Sequence, residues 1–287
     1  MADDDHRVAL VTGGAGGVGR GVVTALAAAG WTVWFTGRGG TSPDERLGRL
    51  AARVAADGGD ARPVTCDHTD DAAVAALYGR IAVESGRLDL LVNAVWAAPE
   101  GFGGFAEPFW RRPVSDWRPL VDVGLRAHYV ASVHAAGLMV DAGSGLIVHV
   151  SSFGSRGHLH SVLYGVAKTG LDKMAADMAV ELAGTGVTAI SLWLGLIRTR
   201  MLLASGLTEF AGFSLDRAED PTFVGRVIDA LARDPDVAAS NGATLISAEE
   251  GRARGVTNDD GTQPDSHRNA FGGGGLFGPG GAATSVG

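Results

Sequence analysis

Hydrophobic positions along the chain follow two alternating patterns. From residue 7 to about residue 245, short β-branched runs alternate with longer Ala-rich segments in which apolar residues recur at helical spacing. Several of the short runs are almost continuously apolar, which is typical of parallel strands covered on both faces. The pattern therefore predicts repeated βα units. We predict strands at residues 8–12, 32–36, 62–65, 88–93, 146–151, 187–193 and 243–247, and helices that include 20–29, 45–56 and 72–84.

Two segments interrupt this alternation. Residues 96–113 are rich in Gly, Pro and aromatic side chains, among them Trp96, Phe102, Phe105, Phe109 and Trp110. A loop of this length is usually functional, and its aromatics favour a packed wall on the substrate side; a surface insertion is the alternative. From residue 251 the composition changes to Gly, Asp, Asn and Ser. This change predicts a flexible tail over residues 251–287 after a single domain over residues 1–250.

Composition and charge exclude several classes of protein. The 287-residue chain has a net charge of -8 and no basic stripe, so we do not expect it to bind nucleic acid. No apolar run predicts a signal peptide or a transmembrane helix. Cys66 is the lone cysteine, which favours a reduced, cytoplasmic compartment. His149, His158 and His160 lack a completing carboxylate or cysteine at ligand spacing, so we expect no metal site.

A glycine-rich loop directly follows the first predicted strand and opens onto a helix. It reads Thr12-Gly-Gly-Ala-Gly-Gly-Val-Gly19. Glycine is needed at such a turn because a Cβ would keep the backbone away from a pyrophosphate, whose charge lies at the helix N-terminus. The loop therefore predicts a bound dinucleotide, with a purely structural glycine turn as the competing interpretation. It does not identify a family, because it fits three spacings at once: Gly14-x-Gly16-x-x-Gly19, Thr12-Gly13-x-x-Gly16-x-x-Gly19 and Thr12-Gly13-x-x-x-Gly17-x-Gly19.

The end of the second predicted strand indicates which dinucleotide is bound. An NAD site places an acidic residue there to bind the ribose 2′-hydroxyl, whereas this chain has Thr36-Gly37-Arg38. The Arg38 guanidinium can donate two hydrogen bonds to a 2′-phosphate, and Gly37 leaves no carboxylate to repel that phosphate. We therefore expect NADP rather than NAD. An exposed arginine without a ligand is the alternative.

A tyrosine and a lysine four residues apart begin an apolar-periodic segment. In Tyr164-Gly-Val-Ala-Lys168, the spacing puts both side chains on one face of a helix, with a cation beside the phenol. The segment follows a predicted strand that ends in Ser151-Ser152. We expect Lys168, the helix N-terminus and an oxidised nicotinamide to favour the phenolate and to lower the Tyr164 pKa toward working pH.

Together these motifs resemble the short-chain dehydrogenase/reductase family. The resemblance covers about residues 7–247, which is nearly everything outside the predicted tail. It implies a Rossmann-type, doubly wound α/β fold with one parallel sheet, a single domain, and an active site at the carboxyl ends of the strands. It rests on the glycine-rich turn, Asp67 after the third strand, Asn93-Ala94 after the fourth, Ser152, the Tyr164/Lys168 pair, and Thr199 after the sixth strand.

The resemblance implies a catalytic role for three residues. Tyr164 would be the general acid in reduction and the general base in oxidation. Lys168 would hydrogen-bond the nicotinamide ribose and tune Tyr164. Ser152 would hold the substrate oxygen, although the adjacent Ser151 has a compatible spacing to Tyr164 and stays open as an alternative.

The resemblance also implies a cofactor-binding set. Asp67 would meet the adenine, Asn93-Ala94 the adenosine ribose region, and Thr199 the nicotinamide carboxamide. Each of these outer positions could instead be a turn or cap residue. The full implied set is Gly13, Gly17, Val18, Gly19, Arg38, Asp67, Asn93, Ala94, Tyr164, Lys168 and Thr199.

Three positions depart from the family pattern. Gly124 stands where the family usually has an asparagine that helps to hold a water of the proton relay. His128, one turn further along the same face, could substitute for it, but a packed helix histidine is the favoured interpretation. The Asn-Asn-Ala-Gly that the family has after the fourth strand becomes Val92-Asn93-Ala94-Val95, and the Pro-Gly after the sixth becomes Leu194-Gly195.

From these residues we expect an oxidoreductase that transfers a hydride between NADP(H) and a carbonyl or alcohol. The resemblance also implies a homodimer or tetramer. The aromatic loop and the resemblance favour an apolar substrate, either steroid-like or xenobiotic. A non-catalytic NADP-binding sensor or scaffold is the main alternative, motivated by Gly124. A two-domain sugar-nucleotide epimerase or dehydratase is disfavoured, because too few residues follow Thr199 to build a second substrate domain.

Overall fold

Seven parallel strands form the central sheet. The computed structural model describes residues 6–38, 43–99, 107–210 and 212–271. The strands of the chain are β1 (Val8–Thr12), β2 (Thr32–Gly37), β3 (Asp60–Thr65), β4 (Leu90–Asn93), β5 (Gly145–Ser152), β6 (Val187–Leu194), β7 (Glu209–Phe210), β8 (Phe213–Ser214) and β9 (Thr244–Ile246). The sheet order is β3-β2-β1-β4-β5-β6-β9, whereas β7 and β8 pair separately and antiparallel. This arrangement confirms the predicted Rossmann-type, doubly wound fold in a single domain.

Helices connect the parallel strands. They are α1 (Gly17–Ala28), α2 (Pro43–Ala56), α3 (Asp71–Ser85), α4 (Ala127–Ala142), α5 (Val162–Glu181), α6 (Arg200–Ala204), α7 (Pro221–Arg233), α8 (Ser247–Ala253) and α9 (Arg268–Phe271). A π-helical segment, Arg118–Arg126, runs directly into α4. Gly124 lies on this widened segment. Side chains fix two helix starts, because Asp70 caps α3 and Ser161 caps α5 by accepting bonds from backbone N–H groups.

Alternate residues of the inner strands face two separate hydrophobic layers, as expected for strands covered on both sides. Ala9 and Val11 of β1 pack in one layer with α1, α2 and α7. Val8 and Leu10 pack in the other layer with α3 and α4. The strand order reverses between β1 and β4, so a crevice opens at their carboxyl ends. The fold therefore brings the glycine loop and the residues after β4, β5 and β6 to one edge of the sheet.

The described parts of the aromatic loop are split between two locations. Trp96 lines the large cavity at the sheet edge. Phe109 and Trp110 lie instead beside His158 and His160 around a separate small cavity, and both are largely exposed. Phe102 and Phe105 lie outside the described residues. The predicted substrate wall therefore stays a prediction for most of this loop.

Residues 251–271 pack against the domain. Asn258 is buried and donates from Nδ2 to the Ala218 carbonyl at 2.9 Å. Phe271 packs on Phe153, with ring centroids 5.5 Å apart. This packing differs from the flexible tail predicted from residue 251, because the polar side chains find partners far away in sequence. Residues 272–287 lie outside the described residues, so their flexibility and the domain boundary near residue 250 stay predictions.

Candidate active site

Two connected cavities lie at the carboxyl edge of the sheet. We call the larger one, of about 850 Å³, the main cavity, and the smaller one, of about 170 Å³, the side cavity. They share Gly13, Gly16, Val95 and Trp96 as lining residues. Of the residues implied by the sequence, the main cavity is lined by Gly13, Gly17, Val18, Gly19, Ala94, Ser152, Tyr164, Lys168 and Thr199, and the side cavity by Gly13 and Arg38.

The glycines of the loop divide into two groups. A Cβ at Gly14 would lie 2.7 Å from Phe35 Cβ, and a Cβ at Gly19 would lie 2.4 Å from the Gly13 carbonyl oxygen, so both positions need glycine for close packing. A Cβ at Gly16 or Gly17 would meet no atom within 4 Å. The structure therefore distinguishes packing glycines from glycines that border open space, which the three overlapping sequence fingerprints could not do.

The glycine loop and α1 fit a pyrophosphate. Gly17 begins α1 with a positive φ of 53°, and Gly16, the residue before it, offers no side chain to cap the helix. No acidic residue stands in the first turn of α1. The first backbone N–H groups of α1 and its positive end are thus open to an anion from the main cavity. Thr12 steadies the loop, because its Oγ1 accepts from the N–H of Ala94 at 3.1 Å.

Two arginines line the side cavity at the end of β2. Arg38 is exposed there, and Arg46 on α2 lines the same cavity. Sequence analysis missed Arg46, although its position in the first turns of the helix after Arg38 was a usable signal. The residues that line the side cavity thus include two arginines and no Asp or Glu.

Asp67 and Asn93 line neither cavity. Asp67 closes the turn after β3, and the hydrogen bond from Thr69 N lowers its pKa most, with Arg38 adding a smaller effect. Asn93 is fully buried and donates from Nδ2 to Ser132 Oγ at 3.0 Å. Both side chains therefore have the structural roles that sequence analysis held open, and their implied contacts with the cofactor stay predictions.

Ser152 and Tyr164 form the centre of the site. Ser152 Oγ lies 2.9 Å from Tyr164 Oη. Ser151 is buried, and its hydroxyl donates to the Lys168 carbonyl at 3.3 Å. The structure thus pairs Ser152, and not Ser151, with the phenol. Gly154 permits the approach, because a Cβ there would lie 2.5 Å from Tyr164 Cε1.

Burial controls the electrostatics of Tyr164 and Lys168. Burial raises the pKa of Tyr164, and the hydrogen bond with Ser152 opposes this change. Burial also lowers the pKa of Lys168 to about 8, while the nearby Asp172 carboxylate raises it. Without an oxidised nicotinamide, the Tyr164 pKa is therefore raised rather than lowered, because the effect of burial outweighs that of the hydrogen bond with Ser152.

Lys168 is held beside the tyrosine ring. Its Nζ donates to the Val150 carbonyl at 3.0 Å and lies 5.7 Å from the centroid of the Tyr164 ring. His160 packs edge-on against Tyr164 with centroids 4.7 Å apart. It is the one described non-glycine residue with a positive φ, 64°, so the backbone is constrained directly before α5.

Gly124 and its possible substitute His128 lie in different surroundings. A Cβ at Gly124 would make only ordinary contacts, the nearest 3.6 Å away on Trp96 Cδ1, so packing does not require glycine there. His128 is buried, and its Nε2 donates to the Val95 carbonyl at 2.9 Å. Burial lowers its pKa well below the usual value, and its ring stacks on His149. These contacts are those of a packed helix histidine.

Metal-ligand clusters and membrane-spanning helices are both absent from the part of the chain that the structure describes. No group of three His, Cys, Asp or Glu side chains in this part of the chain converges as a set of metal ligands. No helix in the same part is long and apolar enough to span a bilayer.

Residues 7–209 match the short chain dehydrogenase family. The chain therefore belongs to the short-chain dehydrogenase/reductase family. Within it, the chain is similar to Dehydrogenase/reductase SDR family member 1 of Mus musculus, with 39% identity over 89% of this chain and 84% of the relative. The protein of the same name from Homo sapiens is 37% identical over the same shares.

Further relatives support the same family. Cis-4-hydroxycyclohexanecarboxylate dehydrogenase of Sinomonas cyclohexanicum is 35% identical over 80% of this chain and 90% of the relative. A short-chain type dehydrogenase/reductase from Mycobacterium ulcerans superposes with a TM-score of 0.72 at 27% identity, over 84% of this chain and 87% of that one. A metagenomic short-chain oxidoreductase in complex with NADP gives a TM-score of 0.66 at 26% identity, over 80% and 92%.

Proposed function

We propose that the chain is an NADP-dependent oxidoreductase that reduces a carbonyl compound or runs the reverse oxidation. The observation that carries the proposal is the 2.9 Å pair of Ser152 Oγ and Tyr164 Oη on the main cavity. Lys168 lies beside this pair, and the glycine loop borders the same space. One cavity therefore holds an acid, a hydrogen-bond donor for the carbonyl oxygen and a loop that can bind a pyrophosphate. Hydride transfer from a nicotinamide cofactor to a carbonyl needs all three.

Each residue has a defined task in this proposal. When bound, NADPH supplies a hydride to the carbonyl carbon. Tyr164 donates its phenolic proton to the carbonyl oxygen, and Ser152 donates a hydrogen bond to the same oxygen as charge develops there. The raised pKa of Tyr164 keeps it protonated at neutral pH, which is the form that can act as an acid. Lys168, mostly charged below its pKa of about 8, stabilises the phenolate that remains.

We infer that the cofactor is NADP rather than NAD. Arg38 and Arg46 on the side cavity support this choice, and one structural neighbour is in complex with NADP. Replacing Arg38 with aspartate is expected to shift the preference, measured as kcat/KM with NADPH over that with NADH, toward NADH by about tenfold or more. A carboxylate would repel the 2′-phosphate and accept a bond from the 2′-hydroxyl. Unchanged selectivity in steady-state kinetics would contradict the assignment, and Arg80→Asp on the distant α3 is the matched charge control.

An apolar substrate is the second part of the proposal. The described wall of the main cavity includes Trp96, Leu194, Ile197, Met201 and Ala204. A relative is named for a dehydrogenase of a hydroxycyclohexane carboxylate, which is a cyclic alcohol. We propose cyclic or steroid-like ketones and xenobiotic carbonyls as the substrate class, because such a wall favours extended apolar surfaces.

Incubating the purified chain with NADPH or NADH and a panel of ketones tests the function. We expect NADPH absorbance to fall with apolar cyclic ketones and to change little with small polar ones. Tight NADPH binding with no oxidation across the panel would instead indicate a sensor or scaffold. Failure to bind either cofactor would overturn the proposal as a whole.

We also propose a cytoplasmic homodimer or tetramer. Tyr129 and Val133 on α4, and Val162 and Val166 on α5, are exposed apolar side chains that association would cover. The size of the assembly can be measured by light scattering during gel filtration, and a monomer at micromolar concentration would contradict this part of the proposal.

A further inference from the structure

A buried carboxyl group lies directly behind the wall of the main cavity. Glu219, with 1% exposure, precedes α7, and its backbone is fastened to the segment that follows β6. Its N–H donates to the Leu196 carbonyl at 2.8 Å, and its own carbonyl accepts from Arg198 N at 2.8 Å. Gly195 and Ile197 of that segment line the main cavity. Glu219 is thus part of the support of the wall.

The Glu219 side chain holds the first turn of this segment. Its Oε1 accepts from Gly195 N at 2.8 Å and from the buried Ser247 Oγ at 2.6 Å. A Cβ at position 195 would lie 2.9 Å from the same oxygen, so only glycine lets the carboxyl group approach this closely. The register of β5 and β6 pairs Ser152 with Leu194, which puts the Gly195 turn at the reacting end of the cavity.

The charge of Glu219 is poorly compensated. Burial raises its pKa to about 7, although its two hydrogen bonds lower it. Its Oε2 has no hydrogen-bond partner within the part of the chain that the structure describes. Among the titratable groups near this turn, burial lowers the pKa of His267, and Arg198 is paired with Asp220. Lys168, which lines the same cavity as Gly195, has a pKa of about 8. Both ionisation states of Glu219 are therefore populated near neutral pH.

We propose that Glu219 is a positioning residue that holds the Gly195 turn against the nicotinamide, and that its carboxylate favours the oxidised, positively charged ring over the reduced, neutral one. The inference rests on the proposed function, since it needs a nicotinamide cofactor. A charge in a poorly solvated interior acts on another charge more strongly than it does in water. The carboxylate also holds Gly195 N–H more firmly than a neutral acid does. Because linkage is reciprocal, binding of NADP⁺ favours ionisation of Glu219.

Cofactor titrations at several pH values test this inference without turnover. The ratio of the Kd for NADP⁺ to the Kd for NADPH should fall about fivefold between pH 6 and pH 8 as Glu219 ionises. Both cofactors carry the same phosphates, so phosphate ionisation cancels in the ratio. Glu219→Gln should abolish the change centred near pH 7 and leave only the later change that Lys168 causes as it loses its charge near pH 8. Ser247→Ala removes a donor to the carboxylate, so it should move the midpoint of the change to higher pH.

Stability gives a second readout in the protein without cofactor. A carboxyl group whose pKa is raised on folding stabilises the folded state below its unfolded pKa of about 4.5, and this stabilisation is lost as pH rises through about 7. The melting temperature of Glu219→Gln relative to wild type should therefore increase between pH 5 and pH 8.

A matched control and two contrary outcomes complete the test. Glu84→Gln removes an exposed carboxylate on α3 that pairs with Arg80, and it should behave like wild type. If wild type binds both cofactors but keeps the same pH response in Glu219→Gln, the inference is overturned and the proposed function stands. If wild type binds neither cofactor, the proposed function and this inference both fail. If Glu219→Gln does not fold, the Ser247→Ala variant decides the question. An unchanged midpoint of the pH response in Ser247→Ala would then overturn the inference.

Discussion

Replacing Tyr164 with phenylalanine is expected to lower kcat by about a thousandfold or more, while the affinity for NADPH stays within about twofold. The change removes the phenolic oxygen that lies 2.9 Å from Ser152 Oγ and leaves the ring in place. The ring keeps its contacts with Gly154, His160 and Lys168, so the wall of the main cavity is preserved. Initial rates from NADPH absorbance and a fluorescence titration of the cofactor measure the two effects separately.

The control for this variant is Tyr129→Phe on α4, where the tyrosine is 54% exposed. It removes the same hydroxyl from a side chain that lines neither cavity, and we expect it to leave kcat and cofactor affinity unchanged. Activity retained in Tyr164→Phe would refute Tyr164 as the acid. Loss of NADPH affinity in the same variant would show that the phenol binds the cofactor in addition to donating a proton.

The framework of the site could be predicted because its signals are local in sequence. β1, β2, β5 and β6 begin and end within one residue of their predicted bounds, since each is a mostly apolar run closed by a polar or glycine residue. Parallel strands bring their carboxyl ends to one edge of the sheet. Gly13, Ser152 and Tyr164 therefore meet at one cavity, as the resemblance implies.

The electrostatics of the site could not be predicted, because they depend on burial and on contacts between distant residues. Spacing alone puts Lys168 beside Tyr164 but does not reveal that Lys168 is buried and Tyr164 half-buried, which shifts the pKa of both. The Glu219 contact with Gly195 joins positions 24 residues apart, and nothing in the local pattern indicates it. The tail is a further example. Composition predicts a flexible tail from residue 251, whereas Asn258 forms a buried hydrogen bond with Ala218, which lies 40 residues earlier in the chain.

The glycine loop shows the same division between local and spatial information. Its residue types predict a tight turn, but three overlapping fingerprints leave open which glycines face a ligand. In the structure, close packing requires glycine at position 19, because a Cβ there would lie 2.4 Å from the Gly13 carbonyl oxygen. Gly16 instead borders open space. The two positions therefore respond differently to the same added methyl group.

Gly19→Ala is expected to lower the free energy of unfolding by about 2–3 kcal/mol and to weaken NADPH binding at least about tenfold. The added Cβ would lie 2.4 Å from the Gly13 carbonyl oxygen, which is backbone and can yield only if the loop moves. The loop cannot move easily at Gly13, because this residue packs against the backbone of Val95 and has a positive φ of 71°. Urea unfolding and a fluorescence titration of NADPH measure the two losses.

Two alanine variants separate the packing effect from the effect on the cofactor. Gly79→Ala lies on the exposed face of α3 with no atom within 4 Å of the new Cβ, so it should stabilise the protein by about 0.5–1 kcal/mol. Gly16→Ala also meets no protein atom, and its backbone is extended, so it should leave stability unchanged. Its methyl group borders the main cavity and should still weaken NADPH binding, because the backbone can no longer approach the pyrophosphate as closely. Equal stability of Gly19→Ala and Gly79→Ala would contradict the packing role of Gly19, since both variants gain the same atoms and only one gains the clash.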